Sequence, residues 1–365
     1  DAVLGIDGEN NGPQAETVQD VETMPDTESM PNVIVVLSES FFDVTRLPGV
    51  SFDRDPLVTF HALQRESISG PFFSHYLGYG TGYIEVSMQT GLTGPDLGAG
   101  TNLCFLEDDI YDRFDALAEQ YTNTGLYTAE MLHAYDNSLY NRTVVYPRLG
   151  YTDSLYSQDI QNLKLERAGS VYGGYYMRDA YLFQAVLHEM RSINESGQRA
   201  FLYAITMENH QPFNPDKFGG ESQVKVRSDA LTRDELAVLE VGVEGIVRAD
   251  QALRELTDAL RLSSEPTIVA FFGDPRPTLP MPDGETVYTK SMWHRLFAFD
   301  AGDVSTKWSV ETGAGYEIGC SSILEVGSTV LYPTDKGNLL AFSSSDGSFL
   351  WAHKISIALV NPMLE

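Results

Sequence analysis

Apolar positions along the chain follow two alternating rhythms. A continuous β-branched run without polar alternation occurs at Asn32-Val33-Ile34-Val35-Val36-Leu37, and Thr124 to Leu132, Ala200-Phe201-Leu202-Tyr203-Ala204-Ile205-Thr206 and Pro266-Thr267-Ile268-Val269-Ala270-Phe271-Phe272 read as further buried strands. Runs of this kind predict strands, and those without alternation predict strands covered on both faces. Between them stand stretches with apolar residues three and four apart: 56–66, 109–120 (Ile110, Phe114, Leu117, Ala118), 177–193 (Tyr181, Leu182, Ala185, Val186, Met190) and a long one from about Thr232 to Leu262. That spacing predicts amphipathic helices. Strands alternating with helices predict an α/β domain, doubly wound around a sheet with helices on both faces.

Each predicted strand ends on polar or ionisable residues. The first runs into Ser38-Glu39-Ser40, the second into His133, the third into Glu208-Asn209-His210 and the fourth into Gly273-Asp274. In open α/β sheets ligands gather beyond the carboxyl ends of the strands. Singly, Glu39 reads equally well as a helix-initiating carboxylate, His133 as a polar loop residue and Arg142 as a surface charge. Their recurrence at strand ends is what points to a site.

A further stretch, Ser74-His75-Tyr76-Leu77-Gly78-Tyr79-Gly80-Thr81-Gly82-Tyr83-Ile84-Glu85, passes from an aromatic run through glycines into a helix-like segment. Glycines permit a tight turn there, and Thr81 would stand at a helix N-terminus, where backbone N–H groups and the helix dipole favour a negatively charged oxygen. Two readings are open for Thr81, an ordinary N-cap and a nucleophile.

Composition narrows the classes. At 365 residues with 42% hydrophobic content, the chain is long enough for two domains with real cores. A formal charge of −28 argues against nucleic acid, which demands a basic surface. No stretch approaches the roughly 18 apolar residues of a membrane span. Residues 1–30 carry eight acidic residues and no Lys or Arg, which predicts a solvated linker or tail, with something upstream cut away. Cys104 and Cys320 are the only cysteines, too few for a disulfide framework, and their pairing is not predictable.

Taken together, the Asn32–Ser40 run, Gly80-Thr81-Gly82-Tyr83-Ile84-Glu85, His133 followed by Asn141-Arg142, Glu208-Asn209-His210-Gln211-Pro212-Phe213 and Phe272-Gly273-Asp274 resemble, in order and spacing, the extracellular catalytic domain of lipoteichoic acid synthases. Those enzymes belong to the sulfatase and alkaline-phosphatase superfamily, and the resemblance covers roughly residues 31 to 285. It implies a membrane-anchored bacterial enzyme whose outer domain transfers glycerol phosphate from phosphatidylglycerol to a growing glycerol-phosphate polymer. A phospho-threonine intermediate and a manganese-type ion, Mn²⁺ or Mg²⁺, come with that implication, as does a location on the extracellular face of the membrane, anchored by a segment absent from this chain.

Carried over by position, Thr81 looks like the nucleophile, with Glu39 and Asp274 as metal ligands beside its oxygen. His133, Arg142 and His210 look like the groups that hold phosphoryl oxygens and glycerol hydroxyls. The chemistry is consistent: a divalent ion lowers the pKa of a coordinated hydroxyl, hard oxygens suit Mn²⁺ or Mg²⁺, and a guanidinium grips phosphate in a planar fork. One departure stands out. The family pattern continues Gly-Asp-His with a metal-ligating histidine, whereas Pro275 follows Asp274 here. Proline offers a metal no side-chain donor, so impaired or absent turnover is expected, and a polymer-binding pseudoenzyme is the alternative. A phosphoethanolamine transferase is another; a sulfatase is disfavoured by the lack of a Cys/Ser-x-Pro-x-Arg motif.

After about residue 289 the pattern changes. Leu296-Phe297-Ala298-Phe299 and Trp308 recur 43 residues later as Leu339-Leu340-Ala341-Phe342 and Trp351. The repeat resembles blades of a quinoprotein-type β-propeller. The expected division is therefore a tail over 1–30, the sulfatase-like domain over 31–289 and a small all-β segment over 290–365. A plain β-meander with Trp308 and Trp351 as core residues is the simpler alternative.

Overall fold

The structure, a computed structural model, describes residues 30–70, 81–92, 104, 106, 108–111, 113, 115–165, 169–219, 222–274, 279–280, 286–290, 295–300, 305–313, 323–334 and 338–354. The acidic tail, Gly78 and Gly80, Pro275 and Cys320 lie outside them. In chain order the first elements are β1 (Asn32–Ser38), β2 (Ser51–Phe52), α1 (Val58–Glu66), α2 (Thr81–Thr90), α3 (Asp108–Tyr111), α4 (Leu117–Asn123), β3 (Tyr127–His133) and α5 (Arg142–Arg148). Then come β4 (Asp153–Leu155), α6 (Ser157–Asn162), β5 (Tyr172–Gly173), β6 (Tyr176–Met177), α7 (Asp179–Glu195), β7 (Arg199–Ile205), β8 (Val226–Arg227), α8 (Arg233–Arg261) and β9 (Thr267–Gly273).

Five of these strands form one sheet in the order β4-β3-β7-β1-β9, and every pairing is parallel. β1 lies between β7 and β9, and all seven of its residues are buried. Its side chains alternate between layers: Val33, Val35 and Leu37 pack with α2 and α4 residues such as Ile84, Val86 and Ala118, whereas Ile34 and Val36 pack with α7 and α8 residues such as Leu182, Val186 and Leu256. Burial of each such side chain contributes about 1.5–3 kcal/mol, which is why an unalternating run belongs at the centre. Because the strands are parallel, their carboxyl ends share one edge of the sheet.

The long helix α8 starts on a capping box in which Thr232 and Glu235 satisfy each other's backbone N–H groups. Three expectations are corrected. The helix expected over 109–120 is two, α3 and α4, because the buried Ala116 is extended (φ −69, ψ 147). The second strand begins at Tyr127 and not Thr124, since Gly125 turns the chain at φ 71. The last strand, β9, is an edge strand, so Ile268 is exposed while Val269 and Phe271 pack inward.

Two antiparallel sheets come next, β10 (Thr286–Lys290), β11 (Arg295–Asp300) and β12 (Thr306–Glu311) in one, and β13 (Leu324–Val326), β14 (Thr329–Pro333), β15 (Asn338–Ser343) and β16 (Phe349–Lys354) in the other. The 43-residue repeat is structural. Ala298 pairs with Trp308 and Ala341 with Trp351, and the register shifts immediately after each alanine. The two sheets share one core of Leu296, Ala298, Trp308, Val330, Tyr332, Leu340 and Phe342, and the Trp308 indole donates to the Ser344 carbonyl at 2.9 Å. Trp351 is not a core residue, being 43% exposed.

Candidate active site

The strand tips meet as the topology requires. The Ser38 carbonyl accepts a hydrogen bond from the Asp274 amide at 2.9 Å, and the Glu39 amide donates to the Thr206 hydroxyl at 3.0 Å, so β1 is tied at its end to both neighbours. Gly273 is needed for this approach, because a Cβ there would overlap the Phe41 carbonyl. Just past β1 the backbone of Ser40 is left-handed (φ 55), and its hydroxyl donates to Glu39 Oε1 at 2.8 Å. Unfavourable backbone of this sort persists only where its surroundings enforce it, and it concentrates at functional sites.

Thr81 is the first residue of α2, and its hydroxyl donates across to Asp274 Oδ2 at 2.7 Å. The neighbouring Gly82 answers a packing demand: a Cβ would come within 2.6 Å of the Tyr140 ring and 2.8 Å of Cys104 Sγ. Glu39, Thr81 and Asp274, distant in sequence, are therefore gathered at one point. Burial and the adjacent Glu39 carboxylate push the Asp274 carboxyl up to about 9. Its other oxygen, Oδ1, is buried and has no hydrogen-bond donor among the described residues.

An orphaned carboxylate oxygen, a second carboxylate beside it and a hydroxyl make a hard, all-oxygen donor set, which fits a divalent ion of the Mn²⁺ or Mg²⁺ kind. Among the described residues no group of three or more His, Cys, Asp and Glu is arranged as a metal cluster, so two carboxylates are the acidic share these residues offer.

Arg142 opens α5 after two left-handed residues, Tyr140 (φ 58) and Asn141 (φ 52). It is buried, with Nε and Nη2 donating to the two oxygens of Glu85 at 3.0 and 2.6 Å; the Tyr146 hydroxyl donates to the same carboxylate at 2.8 Å. Sequence reasoning missed this role for Glu85. The available signal was its position four residues after Thr81, one turn along the same helix.

His133 ends β3 and is buried, with Nδ1 lacking a hydrogen-bond partner. Burial, and then the positive Arg142, hold its pKa well below the usual histidine value, so its ring is neutral. His210 Nδ1 is 2.7 Å from the Gln211 carbonyl, which can only accept, so Nδ1 is the donor of that bond. His133 and His210 are linked through rings: His133 to Tyr135 (6.5 Å), Tyr135 to Tyr176 (5.8 Å) and Tyr176 to His210 (5.4 Å). His133 stands at the carboxyl end of β3, in register with Ile205 of β7, and His210 lies in the loop after β7.

The His210 segment is clamped by residues with no sequence signature. Lys217 Nζ donates to the His210 carbonyl at 2.6 Å inside a cage of Tyr176, Phe213 and Phe218. Burial lowers the Lys217 ammonium to about 8. The Tyr176 hydroxyl donates to the Gln211 carbonyl at 2.9 Å. Upstream, Asp179 and Glu208 are locked reciprocally, the Asp179 amide on Glu208 Oε2 at 2.9 Å and the Glu208 amide on Asp179 Oδ1 at 3.3 Å. Burial raises the pKa of both carboxyls.

With this geometry in place, a family model described as Sulfatase matches residues 31–294. The chain belongs to the Sulfatase family. Within it, the "Putative cyclic beta-1,2-glucan modification protein" of Rhizobium meliloti (strain 1021) is 29% identical over 261 residues, 72% of this chain and 38% of that protein. The chain thus spans well under half the length of that relative. Among solved structures, the phosphoglycerol transferase GacH of Streptococcus pyogenes, in complex with sn-glycerol-1-phosphate, superposes with a TM-score of 0.56 at 23% identity, over 68% of this chain and 62% of that one. The lipoteichoic acid synthase LtaP of Listeria monocytogenes gives 0.52 at 23%, over 67% and 55%. The Sulfatase-family fold expected from the five motifs is the fold observed.

Proposed function

We propose that this Sulfatase-family chain is the catalytic domain of a metal-dependent phosphoglycerol transferase acting outside a bacterial cell membrane. The observation that carries the proposal is the 2.7 Å hydrogen bond from the Thr81 hydroxyl to Asp274 at the strand tips, beside Glu39. Thr81 Oγ1 would attack the phosphorus of phosphatidylglycerol; the bond from phosphorus to the diacylglycerol oxygen breaks, and that oxygen takes up the proton lost by Thr81. An acceptor hydroxyl then attacks phosphorus in turn, releasing the threonine oxygen, which regains a proton.

Glu39, Asp274 and Thr81 would hold Mn²⁺ or Mg²⁺, whose contribution when bound is to acidify the threonine hydroxyl and offset charge on the phosphoryl oxygens. Arg142 reaches the phosphate through Nη1, the edge its pair with Glu85 leaves unused. His133 donates or accepts as a neutral ring, and His210 presents Nε2 to a glycerol or leaving-group oxygen. A cell-surface polymer is the acceptor class; the names of the GacH, LtaP and glucan-modifying relatives support a glycerol-phosphate donor and a polymeric acceptor.

The test is direct. Protein is incubated with Mn²⁺ and phosphatidylglycerol labelled in its headgroup, and the tryptic peptide containing residue 81 is weighed. The expected result is a phosphoglyceryl adduct on Thr81, absent from Thr81→Ala and more abundant in Pro275→His, which restores the histidine of the family pattern. Label from the ethanolamine lipid alone would reassign the headgroup. No adduct in either the native protein or Pro275→His would overturn the transferase reading in favour of a polymer-binding pseudoenzyme.

A further inference from the structure

Beside the candidate site runs a rim of tyrosines that the chemistry above does not use. The short hairpin of β5 and β6 turns at Gly174 (φ 74) and carries Tyr172, Tyr175 and Tyr176, while Tyr135 lies just beyond β3, two residues after His133. Tyr135, Tyr172 and Tyr175 are 37%, 51% and 43% exposed. Large aromatic rings left this open together on a protein surface mark a contact surface. They are not loosely placed. Tyr135 and Tyr175 each pack against Tyr176, at 5.8 and 6.5 Å between centroids. The Tyr175 hydroxyl donates to Asp216 at 3.3 Å and accepts from Asn214 at 3.2 Å, and the Tyr172 hydroxyl accepts from Gln161 at 3.1 Å. The ladder runs without a break into His210 on one side and His133 on the other.

We propose that this rim is the acceptor subsite and that it binds pyranose rings of a neutral glycan, presenting a sugar hydroxyl to the phosphoryl group on Thr81. The proposal rests on the transferase reading of the site and names its acceptor. A pyranose has an apolar face of C–H groups and an equator of hydroxyls. Tyrosine rings fixed at hydroxyl and edge match the face, and amide and carboxylate groups such as Asn214 and Asp216 match the equator. Rings already ordered lose little entropy on binding. A lipid surface fits less well at these rings: exposed tyrosines also suit a membrane interface, but the acidic Asp136 and Asp216 beside them disfavour a layer of anionic headgroups there. The rim's contact with both site histidines also places it where an acceptor must arrive, not where acyl chains alone would rest.

Binding is measured without turnover, in full-chain Thr81→Ala protein, by titration calorimetry with a neutral β-1,2-linked glucan oligosaccharide. In parallel, sedimentation is followed with vesicles of phosphatidylglycerol and phosphatidylcholine at 1:3. The expected result is saturable glucan binding whose Kd rises at least tenfold in Tyr175→Ala and in Tyr135→Ala, and stays within about threefold in Tyr175→Phe, which keeps the ring. Thermal melts of each variant separate a lost subsite from a lost fold, and Tyr175→Phe serves as the second variant should an alanine variant unfold. Glucan binding that is absent, or unchanged in folded alanine variants, overturns the proposal, as does loss of vesicle binding alone. If glucan binds as expected while Thr81 never acquires phosphorus, the transferase reading falls and the subsite stands. The converse result removes the subsite and leaves the chemistry.

Discussion

Two sets of buried carboxylates meet at α2, one carried by the helix and one bonded to its first residue, and the protein treats them oppositely. Glu85 is answered in full: a guanidinium grips both oxygens and a tyrosine hydroxyl adds a third hydrogen bond. Glu39 and Asp274 are pressed against each other, and among the described residues their side-chain donors are hydroxyls, Ser40 for one and Thr81 for the other, with one Asp274 oxygen left without a donor. A charge neutralised inside the protein is structural, since nothing further is needed to hold it. Charge left uncompensated at the same depth calls for a proton or a cation from outside, and Asp274 accordingly holds its proton up to about 9. Full compensation thus marks the carboxylate that positions, and its lack marks the pair left to take up a proton or a cation.

The largest effect should come from breaking the satisfied set. Arg142→Met strands Glu85 as a buried, unpaired charge and should cost about 3–5 kcal/mol, read from the urea midpoint. A loss under about 1 kcal/mol would mean that the Arg142–Glu85 pair does not hold α5 to α2. Next, Mn²⁺ should raise the melting temperature of native protein, and Asp274→Asn should weaken that response by ~100-fold or more in metal concentration. An unaltered response would remove Asp274 from the metal site.

Third, in chelator the Glu39→Gln variant should be more stable than native protein by about 1 kcal/mol, because it relieves the repulsion on Asp274. Destabilisation would show that the pair attracts through a shared proton. The smallest effect concerns a carboxyl outside the site. Glu130 lies opposite Asp153 in the β3–β4 pair, and burial, with the charges of Glu189 and Asp153, raises it to about 7. The folded state therefore binds this proton more tightly than the unfolded chain. Its stabilising contribution is complete below pH 4.5 and lost as pH rises through about 7. Glu130→Gln should then raise the melting temperature at about pH 8 by about 2 °C and do nothing at about pH 4, checked by paired melts. Equal shifts at both values would exclude a titrating Glu130.

The sequence was most legible where one physical demand acted alone. Unalternating runs named β1 and β7, which are buried at all seven positions, since only a strand covered on both faces needs them. The places of Glu39, His133 and His210 at or after strand ends were legible from parallel topology, and the place of Thr81 at a helix start from the glycine-rich approach. Legibility failed where tertiary contact decided. Lys217 reads as one more polar loop residue until its ammonium is seen inside an aromatic cage, and Glu85 reads as a helix-surface carboxylate until Arg142 arrives from 57 positions away. Trp308 and Trp351 occupy equal places in the repeat yet differ in exposure, because only the first has a neighbouring sheet over it.

Where Gly273 passes the Phe41 carbonyl, main chain meets main chain with no side chain to yield. The spacing of residues 39 and 274 is therefore held by the stiffest material in the molecule. Whatever occupies the gap between them must fit a main-chain separation that no side-chain rotation widens.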